Sequence, residues 1–177
     1  HLEITSLETT RNRIFTIAEI HEILYQQQSL KKIPFHEFVK RLIGILSSNK
    51  DQNGHPKVKL QLNSLDLNIN QAVPLGLMLN EILSRLRNGN GNSLCKSVQL
   101  SLDVVRSKEI NVNFDIQHLN PKIKKQITQP ANYLPATLIK VLCSQLKAEF
   151  VHKKNNGIDS FNIYFTKEEK LGSASNI

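Results

Sequence analysis

The chain has 177 residues and a formal net charge of +8, which suits one ordinary domain, or a small domain with a helical attachment. Its 40% hydrophobic and 21% charged residues support a buried core and argue against global disorder, while two cysteines, Cys95 and Cys143, exclude a disulfide framework or a cysteine-rich zinc site. The charge is spread along the sequence apart from Lys122, Lys124 and Lys125, with no nucleic-acid-binding signature, and no signal peptide or membrane-length apolar run is present; the expectation is a cytoplasmic protein that binds neither nucleic acid nor membrane through this region.

Residues 2–28 read as one amphipathic helix. Leu7, Ile14, Ala18, His21 and Tyr25 fall at helical spacing, and Ile17, Ile20 and Leu24 widen the stripe. That pattern is already running at Leu2, so the sequence reads as part of something longer. Pro34 suits a helix start, with Phe35, Phe38, Val39, Leu42, Ile45 and Leu46 as the apolar face of a second helix. "SSNKDQNGHP" is a turn-rich linker. The period then changes to two. Val58, Leu60 and Leu62 alternate with polar residues, as do Leu65, Leu67 and Ile69. Residues 71–87 form an apolar helix, and "RNGNGNS" a flexible loop whose "GNG" at 89–91 reads as a surface turn. Val98–Val104 and Ile110–Ile116 make two strands joined as a hairpin by "RSKE". Residues 117–133 are irregular, Pro135 starts a helix running to about Lys147, and a last strand holds Phe161, Ile163 and Phe165. Helices gathered on mixed strands predict an α/β (α+β) fold, a two-layer α/β sandwich. The expected division is a helical segment over 1–50, the sandwich over 51–168 and a disordered tail over 169–177.

Three stretches carry a resemblance. "RNRIFTIAEIHEILYQQQSLKKIPFHEFVKRLIGIL" resembles the second dimerisation helix, and the helix after it, of bacterial sensor histidine kinases. "LDLNINQAVPLGLMLNEIL" resembles the approach to their ATP-binding domain, and "LIKVLCSQLKAEFVHKKNNGIDSFNIYF" its closing helix and strand. The match runs in order over nearly the whole chain. It implies a helical dimerisation segment followed by the ATPase sandwich shared with gyrase and the heat-shock ninety chaperones.

The resemblance also implies roles. The family's nucleotide helix is similar to N-E-x-x-x-N, with the glutamate near the phosphates and the later asparagine on Mg²⁺. Here Asn80 and Glu81 are kept, but Arg85 replaces that asparagine. A guanidinium has no lone pair for a metal, though it can meet phosphate directly. The family's glycine boxes bring backbone N–H groups close to adenine and phosphate. This chain has no glycine from 92 to 156. Asp115 is the candidate remnant of the adenine-reading acid, and Leu119, Tyr133 and Leu134 are candidate fillers of a closed pocket. No cofactor is expected, with ATP kept open as the alternative: Asn80, Glu81, Arg85 and Asp115 would then face it.

His21-Glu22 resembles a phosphoacceptor pair, but the resemblance places it on the second bundle helix, whereas the acceptor belongs upstream. It reads better as a helix-interface histidine. His36, His55, His118 and His152 lack metal-ligand spacing and read as surface or loop residues, so no metal site is expected. The implied partners are a response-regulator receiver domain or a partner kinase, together with a second copy of the chain through the helical segment. The readings left open are a transmitter region with a decayed ATP site, a divergent active kinase, and a histidine phosphotransferase descended from one.

Overall fold

A computed structural model of the chain describes residues 2–26, 32–47, 57–84, 95–106, 108–118, 136–155 and 158–168. The elements in chain order are α1 (Leu2–Gln26), β1 (Ile33–Pro34), α2 (Phe35–Ser47), β2 (Lys57–Leu62), β3 (Asp66–Leu67), α3 (Ile69–Ser84), β4 (Cys95–Arg106), β5 (Glu109–His118), α4 (Ala136–Leu146), β6 (Glu149–Asn155) and β7 (Ile158–Thr166). Five strands form one sheet in the order β2-β4-β5-β7-β6. β2 runs parallel to β4 and the other neighbours are antiparallel. The short strands β1 and β3 pair separately, Ile33 opposite Leu67.

Period-two patterning decides which face of the sheet is covered. Leu100, Leu102, Val112, Phe114, Phe161 and Ile163 are buried on the inner face. The outer face presents Gln99, Asn113, Asp115, Ser160 and Asn162. α3 and α4 cover the inner face, with Leu75, Met78, Leu79, Ile139 and Leu142 in the same core. The sandwich expected from the sequence is therefore present.

α1 and α2 add a further layer over α3. Ile20 and Ile23 of α1 and Phe35, Phe38 and Leu42 of α2 join the same continuous cluster as the sheet residues. α3 is consequently buried on almost every side, as a helix apolar all round must be. Its start is capped by Asn68, whose Oδ1 accepts from Gln71 N at 3.0 Å. Gln71 in turn ties α3 to the end of β7, donating to Thr166 O at 2.8 Å and accepting from Glu168 N at 3.0 Å. Close packing depends on Gly76, where a Cβ would meet Ile20 Cδ1 and the Phe38 ring at 3.1 Å.

On α1, Ile20 of the expected stripe is buried with Thr16 and Ile23, whereas Ile14, Ala18, His21 and Tyr25 are exposed. Three expectations need correction. Pro34 belongs to β1 rather than to α2. The alternation through Leu65, Leu67 and Ile69 yields only a two-residue strand, because Asn68 caps a helix that begins at Ile69. β6 was not foreseen: its Lys153 and Lys154 hide the period, as charges on a sheet's edge strand often do. The boundary expected at residues 50 and 51 lies outside the described residues, and the core runs across both sides of it. Among the described residues no helix is long and apolar enough to cross a membrane.

Candidate functional site

The Asn68 cap sets the register of α3, and Asn80 and Glu81 lie about 14 Å along it from Gln71 by helical rise. Both are 1% exposed. A buried carboxylate needs a partner, because removal from water costs several kcal/mol or more otherwise. For Glu81 the partner comes from α1: Arg13 Nε donates to Glu81 Oε1 at 2.5 Å. The hydrogen bond to Glu81 holds the Arg13 guanidinium above its ordinary range, against an opposing effect of partial burial. Arg13 was not singled out in the sequence. Its position three residues before Thr16 and seven before Ile20, on the buried face of α1, was the available signal.

Asp115 does not join this site. Phe114 and Ile116, on either side of it, point into the core beneath α3. Asp115 therefore points to the opposite face of the sheet. There it accepts from Ser160 Oγ at 2.5 Å and from Asn113 Nδ2 at 3.0 Å. Strand parity thus sets Asp115, the candidate adenine-reading acid, on the face of the sheet opposite to Asn80 and Glu81. Arg85, Leu119, Tyr133 and Leu134 lie outside the described residues.

A different acid occupies the inner face. Asp159 on β7 stands opposite Ile116 and is 0% exposed. Its Oδ1 lies 3.0 Å from His152 Nε2 on β6. The imidazole stacks on Phe161, ring centroids 4.5 Å apart and planes 8° from parallel. His152 is therefore a half-buried strand residue, not a loop histidine. Both partners share strand parity with Phe150, Phe161 and Ile163, which is the signal that could have found them.

His21 and Glu22 are exposed on α1. Among the described residues no group of three or more His, Cys, Asp and Glu could hold a metal ion. A cavity of about 380 Å³ lies at the other end of the sheet, beside Val105, Glu109, Tyr164 and Thr166. That is the end where α3 begins, away from Asn80 and Glu81. Asn80 and Glu81 are thus enclosed, Glu81 is engaged by Arg13, and Asp115 lies on the opposite face of the sheet.

Residues 3–50 match the histidine kinase family model HisKA_2. No protein of curated function matches the chain by sequence. Among solved structures, the histidine kinase domain of the Erythrobacter litoralis EL346 blue-light-activated histidine kinase aligns with a TM-score of 0.66 at 16% identity, over 89% of this chain and 74% of that one. In a longer EL346 chain the match spans 54% of its length. The Acinetobacter baumannii histidine kinase AdeS aligns with a TM-score of 0.54 at 13% identity, over 88% of this chain and 77% of that one. The histidine kinase domain of the E. coli osmosensor EnvZ gives 0.53 at 7% identity, over 85% and 97%. The fold is that of histidine kinase domains.

Proposed function

We propose that the chain is the transmitter region of a two-component signalling protein, a histidine-kinase-like unit whose ATP site has decayed. It acts by dimerising through α1 and by docking a response-regulator receiver domain or a partner kinase, in a cytoplasmic setting. The observation that carries this reading is the closure of α3: Asn80 and Glu81 are 1% exposed, and Glu81 is held by Arg13. Two further features support it. The chain lacks glycine from 92 to 156, and Arg85 replaces a metal-binding asparagine. The exposed stripe of Ile14, Ile17 and Tyr25 on α1 supports association with a second copy.

Calorimetric titration with an ATP analogue, with and without Mg²⁺, tests the reading. No binding by a folded sample is the expected result. Micromolar binding would favour the divergent active kinase and return Asn80, Glu81 and Arg85 to the phosphates. Without binding, transfer of phosphate to a histidine carried on a longer version of the chain would favour the phosphotransferase.

A further inference from the structure

The cavity of about 380 Å³ at the end of the sheet where α3 begins has no part in the function proposed above. Sites for one small organic molecule occupy roughly 300–1,000 Å³, so its size is sufficient for such a ligand. Its polar lining comes from two cross-strand pairs. Glu149 on β6 stands opposite Tyr164 on β7, and Glu109 on β5 stands opposite Thr166 on β7. Residues opposite in an antiparallel pair share a face, as do residues two apart on one strand, so these four side chains lie together. Val105 on β4 adds apolar surface and is 57% exposed.

Charge decides what the cavity suits. Among the described residues the charged groups that line it are Glu109, Lys147 and Glu149. Arg106 Nε stands 3.7 Å from Glu109 Oε2, and Lys147 Nζ is 3.1 Å from Glu168 Oε1, so two of the three have a partner of opposite sign. Among the described residues no hydrogen bond or ion pair engages the Glu149 carboxylate or the Tyr164 hydroxyl. The uncompensated charge is therefore negative, and it stands beside an aromatic ring that is 38% exposed. A carboxylate and the face of an aromatic ring both attract a cation. An anion would meet two carboxylates and a lysine already engaged by Glu168.

We propose that this cavity binds a small organic cation, an ammonium on an apolar stem. The charge lies between the Glu149 carboxylate and the Tyr164 ring, and the stem runs along Val105. The bound molecule rests against residues that fix the start of α3: Thr166 O accepts from Gln71, and Glu168, the partner of Lys147, accepts from Asn68 Nδ2 at 3.4 Å. The site stands apart from Asn80 and Glu81 and does not depend on whether nucleotide binds there.

The test titrates the unaltered chain with hexylammonium at constant ionic strength, following backbone amide signals by NMR, with hexanol as the neutral counterpart of the same length. Saturable shifts centred on Glu109, Glu149, Tyr164 and Thr166 are expected, with a dissociation constant on the order of 1 mM for so small a probe. Glu149→Gln is expected to bind hexylammonium about fivefold more weakly and to leave hexanol binding unchanged. Melting curves establish that the variant is folded, and Tyr164→Leu, at an exposed strand position, carries the same test if it is not. Absence of saturable shifts, shifts centred elsewhere, hexanol binding as tightly as hexylammonium, or unaltered affinity in the folded variant would each overturn the proposal.

Discussion

Lys147 is the described non-glycine residue held at positive φ, 52°. It closes α4: Lys147 N donates to Ser144 O and Ala148 N to Cys143 O at 2.8 Å, the hydrogen-bonded ending that favours glycine. A Cβ in this left-handed conformation costs roughly 1–2 kcal/mol. Against that stands the pair of Lys147 Nζ with Glu168 Oε1 at 3.1 Å, between side chains that are 80% and 44% exposed. Exposed pairs contribute about 0–1 kcal/mol. The backbone effect is the larger, so Lys147→Gly should raise the denaturant midpoint, by an amount equivalent to about 0.5–1 kcal/mol. Gly76 gives the opposite case. Alanine there gains about 1 kcal/mol of helix propensity, yet its Cβ would press at 3.1 Å on Ile20 and Phe38, both 0% exposed, and they would have to shift by a few tenths of an ångström inside the core. Overpacking of this kind costs about 1–3 kcal/mol, so Gly76→Ala should be destabilising overall in the same measurement.

At the scale of elements, legibility followed burial on one face. β4, β5 and β7 were read correctly because Leu100, Val112 and Phe161 alternate with polar residues above a single covered face. β6 escaped because only Phe150 and His152 of its inner row resemble core, and His152 enters the core only through Asp159 and Phe161. α1 was read as a helix, but its stripe divides between two faces. Its inner face carries Thr16 among isoleucines, while its outer face carries Ile14 and Tyr25, so hydrophobicity alone does not separate them. Ile14 and Tyr25 are 64% and 79% exposed, so glutamate at both positions should shift the melting temperature little. The same double variant should weaken self-association in sedimentation experiments, because the charges would fall within an apolar helical seam. Unchanged association would remove α1 from the dimer interface.

At the scale of the whole molecule, the candidate site was less legible than the fold. The sequence pointed to Asn80 and Glu81 but could not disclose that α1 covers them, since Arg13 and Glu81 are 68 residues apart. Strand parity around Asp115 could have been read from Phe114 and Ile116, whereas the pairing of Asp159 with His152 needed the β6–β7 register. Long-range packing also bears on how the chain unfolds. A helical segment and a sandwich read from sequence suggest two cooperative units. In the structure α3 belongs to both, with Leu75, Met78 and Leu79 in the same cluster as Ile20 and Phe38 on one side and Phe114 and Phe161 on the other. Separating the layers would expose Gly76 and its neighbours and break the Arg13–Glu81 pair. Neither layer therefore has a complete core without the other, and folding should be a single transition. Calorimetry should give one endotherm whose van't Hoff and calorimetric enthalpies agree. A chain lacking residues 2–47 should melt far lower or fail to fold, because α3 would lose its apolar cover from Ile20, Phe35 and Phe38, and Glu81 its ion pair with Arg13. Two resolved transitions, or a truncated sandwich of unchanged stability, would mean that α1 and α2 only rest on α3.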